Sequence, residues 1–330
     1  MTQRQNVIIK SKNIKDKLSI VQIIILIPLA IICFPTSLTR YQTKNLIIPS
    51  NFPKASDLFP SLFILIFLSL FRYFLTKDVL NQLGEWCIDR KKWNNKKVRK
   101  ERVKRFGHCV FKNIYFFITA PLGICLFKNE DWVPAVLFGN GKQDISLLWE
   151  DFPLTPQTNS IIIFYNWELG YHLQSLLFHL LSTPRNDFFE TLLHHLCSVF
   201  LMTFSYTNNC ARIGVLVLIL HDIVDVFMYF SKWAIDLENI IPGSLCFIFL
   251  TFVYALFRLY VFPMYIIRAG LIAINYVPDT IKYKYLTYGL FMLMLFSLLA
   301  LHIYWFYLII QMLIHLISGK GARDIHSIVE

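Results

Sequence analysis

FFETLLHHLCSVFLMTFSYT (Phe188 to Thr207) and IGVLVLILHDIVDVFMYF (Ile213 to Phe230) decide the fold. Each is long enough to cross a bilayer core about 30 Å thick as a helix rising about 1.5 Å per residue. The turn between them, Asn208-Asn-Cys-Ala-Arg212, is too short for anything but an antiparallel pair. His194 and His195 lie about two turns into the first helix, and Asp222 and Asp225 about two turns from the end of the second. The two groups therefore meet at one depth, near one face of the membrane. His221 and Asp225, four apart, share a helical face. Titratable side chains at membrane depth are expensive and mark a functional site by default.

The rest of the chain agrees with a membrane setting. Of its 330 residues 56% are hydrophobic, 16% aromatic and only 16% charged, which excludes an ordinary soluble domain. Further spans are expected over 18–39, 58–76, 106–127, 159–182, 240–267 and 286–318. With the pair above, that makes about eight transmembrane helices in an all-α polytopic protein. The stretch 18–39 contains Pro28 and follows a polar tail, so it reads as a retained anchor rather than a cleaved signal peptide.

Charge orients these spans. Residues 90–105 hold ten Lys and Arg, and the N-terminal tail adds Arg4, Lys10, Lys12, Lys15 and Lys17. Both segments belong on the cytosolic side, which with eight spans makes both termini cytosolic. The loop from Lys128 to Thr158, with five acids against two bases, is expected on the lumenal side, and Trp132 to Asp151 within it in the interface plane or dipping into the membrane. The basic run between two spans reads as a topology determinant, not a nucleic-acid site. Three segments follow: 1–105 (tail, two anchor spans and basic segment), 106–318 (catalytic membrane domain) and 319–330 (cytosolic tail). Seven scattered cysteines form no CxxC pair, so neither a disulfide framework nor a zinc ribbon is expected.

The stretch from Asp187 to Asp225 closely resembles the signature of ceramide synthases, the acyltransferase branch of the TLC-domain proteins. The resemblance extends to Phe52–Leu58, to Trp167-Glu-Leu-Gly-Tyr171, to Arg258–Pro263 and to His302-Ile-Tyr-Trp-Phe-Tyr-Leu308. It covers most of the chain after about residue 50. Thr76 to Arg90 is too short for the homeobox-like insert of some animal members, and Met228-Tyr-Phe-Ser231 stands where the family usually has a carboxylate.

The resemblance implies a TLC-type helical bundle enclosing a lipid cavity in the endoplasmic reticulum membrane. The implied activity is transfer of a fatty acyl group from acyl-CoA to the amine of sphinganine or sphingosine. No cofactor is implied beyond acyl-CoA as substrate. The partners expected are acyl-CoA, a sphingoid base, membrane lipids, and either a second copy of the chain or a small accessory membrane subunit. His194 is the expected nucleophile, forming an acyl-imidazole, with Asp225 across the helix pair fixing its tautomer. His195, His221 and Asp222 are candidates to take the amine proton. Which histidine faces inward, and whether transfer is covalent or direct with a histidine as base, stay open.

Glu168, His172, His179 and Arg258 are expected to line the cavity, on the ground that Glu168 is four before His172 and His172 seven before His179. A polar seam that glues helices is an equal reading of the histidines. Arg258, mid-span, needs a partner in Glu168 or a motif aspartate. A non-catalytic TLC protein that binds or moves lipid is the alternative function. A metal-dependent hydroxylase is a third reading, but no metal site is expected, because the chain has only nine histidines and His302, His315 and His326 read as lying away from the cluster.

Overall fold

A computed structural model describes residues 52–88, 93–182, 186–237, 241–279 and 284–318. Seven long helices run through them: α1 (Ala55–Cys87), α2 (Lys96–Phe127), α3 (Asn159–Leu181), α4 (Phe188–Thr207), α5 (Ala211–Ala234), α6 (Ile241–Ala273) and α7 (Lys284–Ile317). Among the described residues no β-sheet forms; there are only isolated bridges, Ile88 with Leu237 and Pro134 with Gly141. All but α3 are long and apolar enough to cross a membrane. α3 is more polar because it carries Asn166, Glu168, His172 and Gln174, and Asn166, Glu168 and Gln174 are buried against its neighbours. The protein is thus an all-α, multi-pass membrane protein. The span expected over 18–39 lies outside the described residues.

Two helices outrun their expected spans. α1 continues beyond Thr76 through a π-helical stretch (Leu75–Leu80) to Cys87. α2 begins at Lys96 rather than Phe106, so the boundary expected at 105/106 falls within it. Lys and Arg are good helix formers and need not interrupt a helix that emerges from the membrane. The start of α2 is set by Asn95, whose side chain accepts hydrogen bonds from the Lys97 and Val98 amides.

α5 is the central helix. Val215, Leu216, Ile219, Leu220 and Val224 are fully buried. It packs against α2 along one side and against α6 along another, while α1 packs along α3 and α3 along α4. Near one end Arg102 pairs with Asp236 and Arg105 donates to the Lys232 carbonyl, which places the basic start of α2 beside the end of α5. At this basic end α3 finishes and α4 begins. The other end is closed by residues 128–158, which pack into the core. Leu137 and Val133 are buried there, Trp149 donates to the Ala269 carbonyl, and Arg212 donates to the Leu147 carbonyl. Phe63, Phe67, Phe117, Phe252 and Tyr307 are exposed on the outside, as lipid-facing side chains are.

The α4–α5 turn is short because Asn209 takes a left-handed conformation (φ 60°), which Asn tolerates. Its side-chain amide donates to the carbonyls of Pro153 and Thr155. Just beyond, Gly214 lets the Tyr165 hydroxyl reach Ser205 Oγ and the Ala211 carbonyl. A Cβ on residue 214 would sit 1.6 Å from that hydroxyl. Gly214→Ala is therefore expected to destabilise the fold by about 1–3 kcal/mol, since overpacking forces side chains and backbone aside. Thermal unfolding in detergent checks it, and an unchanged midpoint would mean the tyrosine swings away freely.

Candidate functional site

The antiparallel α4–α5 pair does bring its polar groups to one depth. The His194 and His221 rings stack with centroids 6.3 Å apart. A cavity begins at this level and runs to the opposite end of the bundle. About 1330 Å³ of non-atom space lies within its bounds, the open solvent at its mouth included. His172, His194, His221, Asp222 and Asp225 line it at one end; Trp149, Ala273, Val277 and Tyr288 line the other. The wall between is almost wholly apolar, with Leu201, Val217 and Leu295 among its residues.

His194 is the member of the pair on the cavity wall, with its ring edge-on to Trp305 at 5.3 Å. His195 is buried and turned the other way, toward His179, with ring centroids 5.5 Å apart. Adjacent residues point about 100° apart on a helix, so the two cannot share one role.

Asp225 does not face His194 as a tautomer-fixing partner in the way expected. Its Oδ1 accepts from the Arg258 guanidinium, and Arg258 also sits over the Tyr254 ring at 5.1 Å. A guanidinium in an apolar interior is tolerable only when paired, and Asp225 on α5 is the carboxylate that the α6 π-helical segment Ala255–Ile267 turns Arg258 toward. Asp222 is held differently. Its Oδ2 accepts from Thr119 Oγ1 at 2.8 Å, while Oδ1 is buried with no hydrogen-bond partner, and the residue as a whole lines the cavity.

His302 overturns one expectation. Read as lying away from the cluster, it is fully buried and its Nε2 lies 3.0 Å from His221 Nε2. The tautomers follow from the remaining bond. His221 Nδ1 lies 2.7 Å from the Val217 carbonyl, which can only accept, so Nδ1 carries the hydrogen. In a neutral His221, Nε2 is then the acceptor and His302 Nε2 the donor. The Tyr254 hydroxyl donates to the His302 carbonyl and ties this part of α7 to α6. A histidine near the middle of an apolar helix was the available signal, since such a residue needs a polar partner. Thr119 and Tyr115 had no comparable signal. His315 is exposed near the end of α7, and His326 lies outside the described residues.

Of the four cavity candidates, only His172 lies on the wall. Glu168 is fully buried, accepting from the Tyr115 hydroxyl at 3.1 Å, with Oε2 4.0 Å from His172 Nε2. Arg258 is behind Asp225. His179, though seven residues from His172, stacks on Phe188 and donates from Nε2 to the Phe188 carbonyl at 3.0 Å. It lies two residues before the end of α3, where α4 has just begun beside it.

Taken together, the described residues form a mostly apolar cavity inside a helical membrane bundle, with imidazoles and a buried carboxylate at one end. The sequence pattern of the TLC domain matches residues 105–311, more than half of the chain. The ASC1-like protein 3 of Oryza sativa subsp. japonica is 30% identical over 284 residues, covering 83% of this chain and 96% of that protein. The ceramide synthase LOH2 of Arabidopsis thaliana is 30% identical over 264 residues, covering 78% and 86%. Ceramide synthase 3 of Homo sapiens is 30% identical over 231 residues, covering 69% of this chain and 56% of that protein. The chain therefore belongs to the ceramide synthase branch of the TLC-domain family.

Proposed function

We propose that the protein makes ceramide, transferring a fatty acyl group from acyl-CoA to the amine of a sphingoid base in the endoplasmic reticulum membrane. The observation that carries this is the cavity, whose wall is mostly apolar and which bears His194, His221 and Asp222 together at one end. Amide formation from a thioester needs a nucleophile or base, donors for the oxyanion, and exclusion of water that would hydrolyse the acyl donor. An acyl chain fills the apolar length while its thioester rests at His194.

His194 attacks the thioester carbonyl, the C–S bond breaks, the ring proton passes to the departing CoA sulfur so that CoA leaves as the thiol, and the acyl-imidazole holds the chain in the cavity. The sphingoid amine then attacks the same carbonyl and the imidazole is restored. His221 is a poor candidate for the amine proton, because its Nε2 lone pair already accepts from His302 and its Nδ1 already carries hydrogen. Asp222, which lines the cavity and whose buried Oδ1 accepts no hydrogen bond, is better placed. The basic end, with α2 leading out of it, faces the cytosol, where soluble acyl-CoA is found, and both termini lie on that side. A second copy of the chain or a small accessory subunit completes the assembly.

Mass spectrometry of lipids from membranes containing the protein, supplied with sphinganine and a ladder of acyl-CoAs, tests the reading. N-acyl sphinganine should form and depend on both substrates. Tight binding of both lipids with no amide product would instead identify a non-catalytic lipid-binding protein.

Chain-length preference is expected to be set at the far end of the cavity. Each buried methylene is worth about 0.8 kcal/mol, so one carbon more or less changes affinity only about fourfold and several carbons change it greatly. Exchanging residues 273–285 for the matching segment of a relative with another preference should shift the product profile by several carbons. An unchanged profile would place the ruler elsewhere.

A further inference from the structure

Imidazole rings form a row across the bundle. His302 on α7 is hydrogen-bonded to His221 on α5, with ring centroids 5.0 Å apart. His221 faces His194 at 6.3 Å, His194 neighbours His195 at 5.7 Å, and His195 neighbours His179 on α3 at 5.5 Å. The last two separations are within about an ångström of the one pair in the row that is demonstrably hydrogen-bonded. His194 Nδ1 and His195 Nδ1 are buried with no hydrogen-bond partner, which is rare for buried nitrogens and costly unless something passes through or sits between them. His179, half-buried, stands almost at the end of α3, at the basic end of the bundle.

The reaction proposed above has a proton to lose. A sphingoid base arrives as an ammonium, and thioester plus ammonium yields amide, thiol and one H⁺. The C–S bond breaks, the C–N bond forms, the amine loses two protons, the CoA sulfur accounts for one, and the other must leave a cavity whose wall is almost wholly apolar. We propose that His195 and His179 are the exit, a relay that carries this proton from the His194 end of the cavity to the cytosolic surface. The inference rests on the acyl-transfer reading and gives His195 and His179 a role that neither cavity lining nor helix gluing supplies. Imidazole suits the task because one ring nitrogen can accept while the other donates. The Phe188 carbonyl accepts the Nε2 hydrogen of His179 and holds the outer ring in place, so the proton enters and leaves that imidazole through Nδ1.

The distinguishing variants of the full-length protein, in lipid nanodiscs, are His179→Gln and His179→Phe. Glutamine can keep a donor to the Phe188 carbonyl and phenylalanine the stack on its ring, but neither can pass a proton on. Both are expected to lower turnover about tenfold or more, with KM for acyl-CoA and sphinganine unchanged. Added imidazole should restore His179→Gln toward the wild-type rate, and the slowed step should show a larger solvent deuterium isotope effect than in wild type. A His179→Gln protein with wild-type turnover, or a slow one, folded by thermal unfolding, that imidazole does not restore, would overturn the relay while leaving the acyltransferase intact. Absence of any amide product from the wild-type protein would instead remove the function, and the relay with it.

Discussion

His194→Ala is expected to reduce N-acylation about a thousandfold or more while the protein still inserts and folds. Its imidazole is the α4 ring on the cavity wall, and a group acting as nucleophile or base within a unit takes most of the unit's rate with it when removed. The surroundings do not depend on the ring in the same way. Its ring contacts are to Trp305, His221 and His195, and alanine leaves only a slightly larger cavity among them. Incubation of wild type with acyl-CoA alone should release about one equivalent of CoA and add one acyl mass to the protein, and the Ala variant should do neither. Wild-type-like turnover by a folded His194→Ala protein would move the chemistry to another residue. Robust turnover by wild type with no adduct, and CoA release that strictly requires the amine, would keep His194 as a base in direct transfer.

Breaking the Arg258–Asp225 pair should produce the largest loss of stability of any single change in the site. Arg258→Met or Asp225→Asn leaves one buried charge without its partner, a loss of about 3–5 kcal/mol. Replacing both by apolar side chains of similar size, Arg258→Met with Asp225→Leu, should recover most of it, because the desolvation of the two charges is removed together. Thermal unfolding of the two single variants and the double variant measures the coupling. Additive losses would show that the pair contributes nothing. The same series separates position from chemistry: if Asp225→Asn folds normally yet makes no ceramide, Asp225 acts on the substrate directly instead of through Arg258.

A good part of this molecule was legible along the chain. Hydrophobic length located all seven of the long described helices, including α3, expected over 159–182 and found over Asn159–Leu181 despite its polar residues. The short Asn208–Arg212 turn and the counting of turns put His194 and His221 at one depth, since rise per residue is nearly constant in a helix. The cost of ionisable groups in hydrocarbon marked the α4–α5 cluster as the site.

What the sequence could not supply was rotation. Whether His194 or His195 faces the cavity depends on how α4 is turned against its neighbours, and that is decided by packing all along the helix. The same holds for Arg258, which had Glu168 and two motif aspartates as possible partners and found Asp225 through the π-helical widening of α6 near Pro263. His302 was set aside because it lies 81 residues beyond His221 in the chain. Its partner became visible only once α7 had packed against α5 and α6. Composition and span length, which are local, determined that this is a helical membrane bundle with a polar centre. The pairing inside that centre was decided by helices distant in sequence meeting at fixed rotations, because a buried polar group takes whichever partner the packed neighbours bring within hydrogen-bond reach.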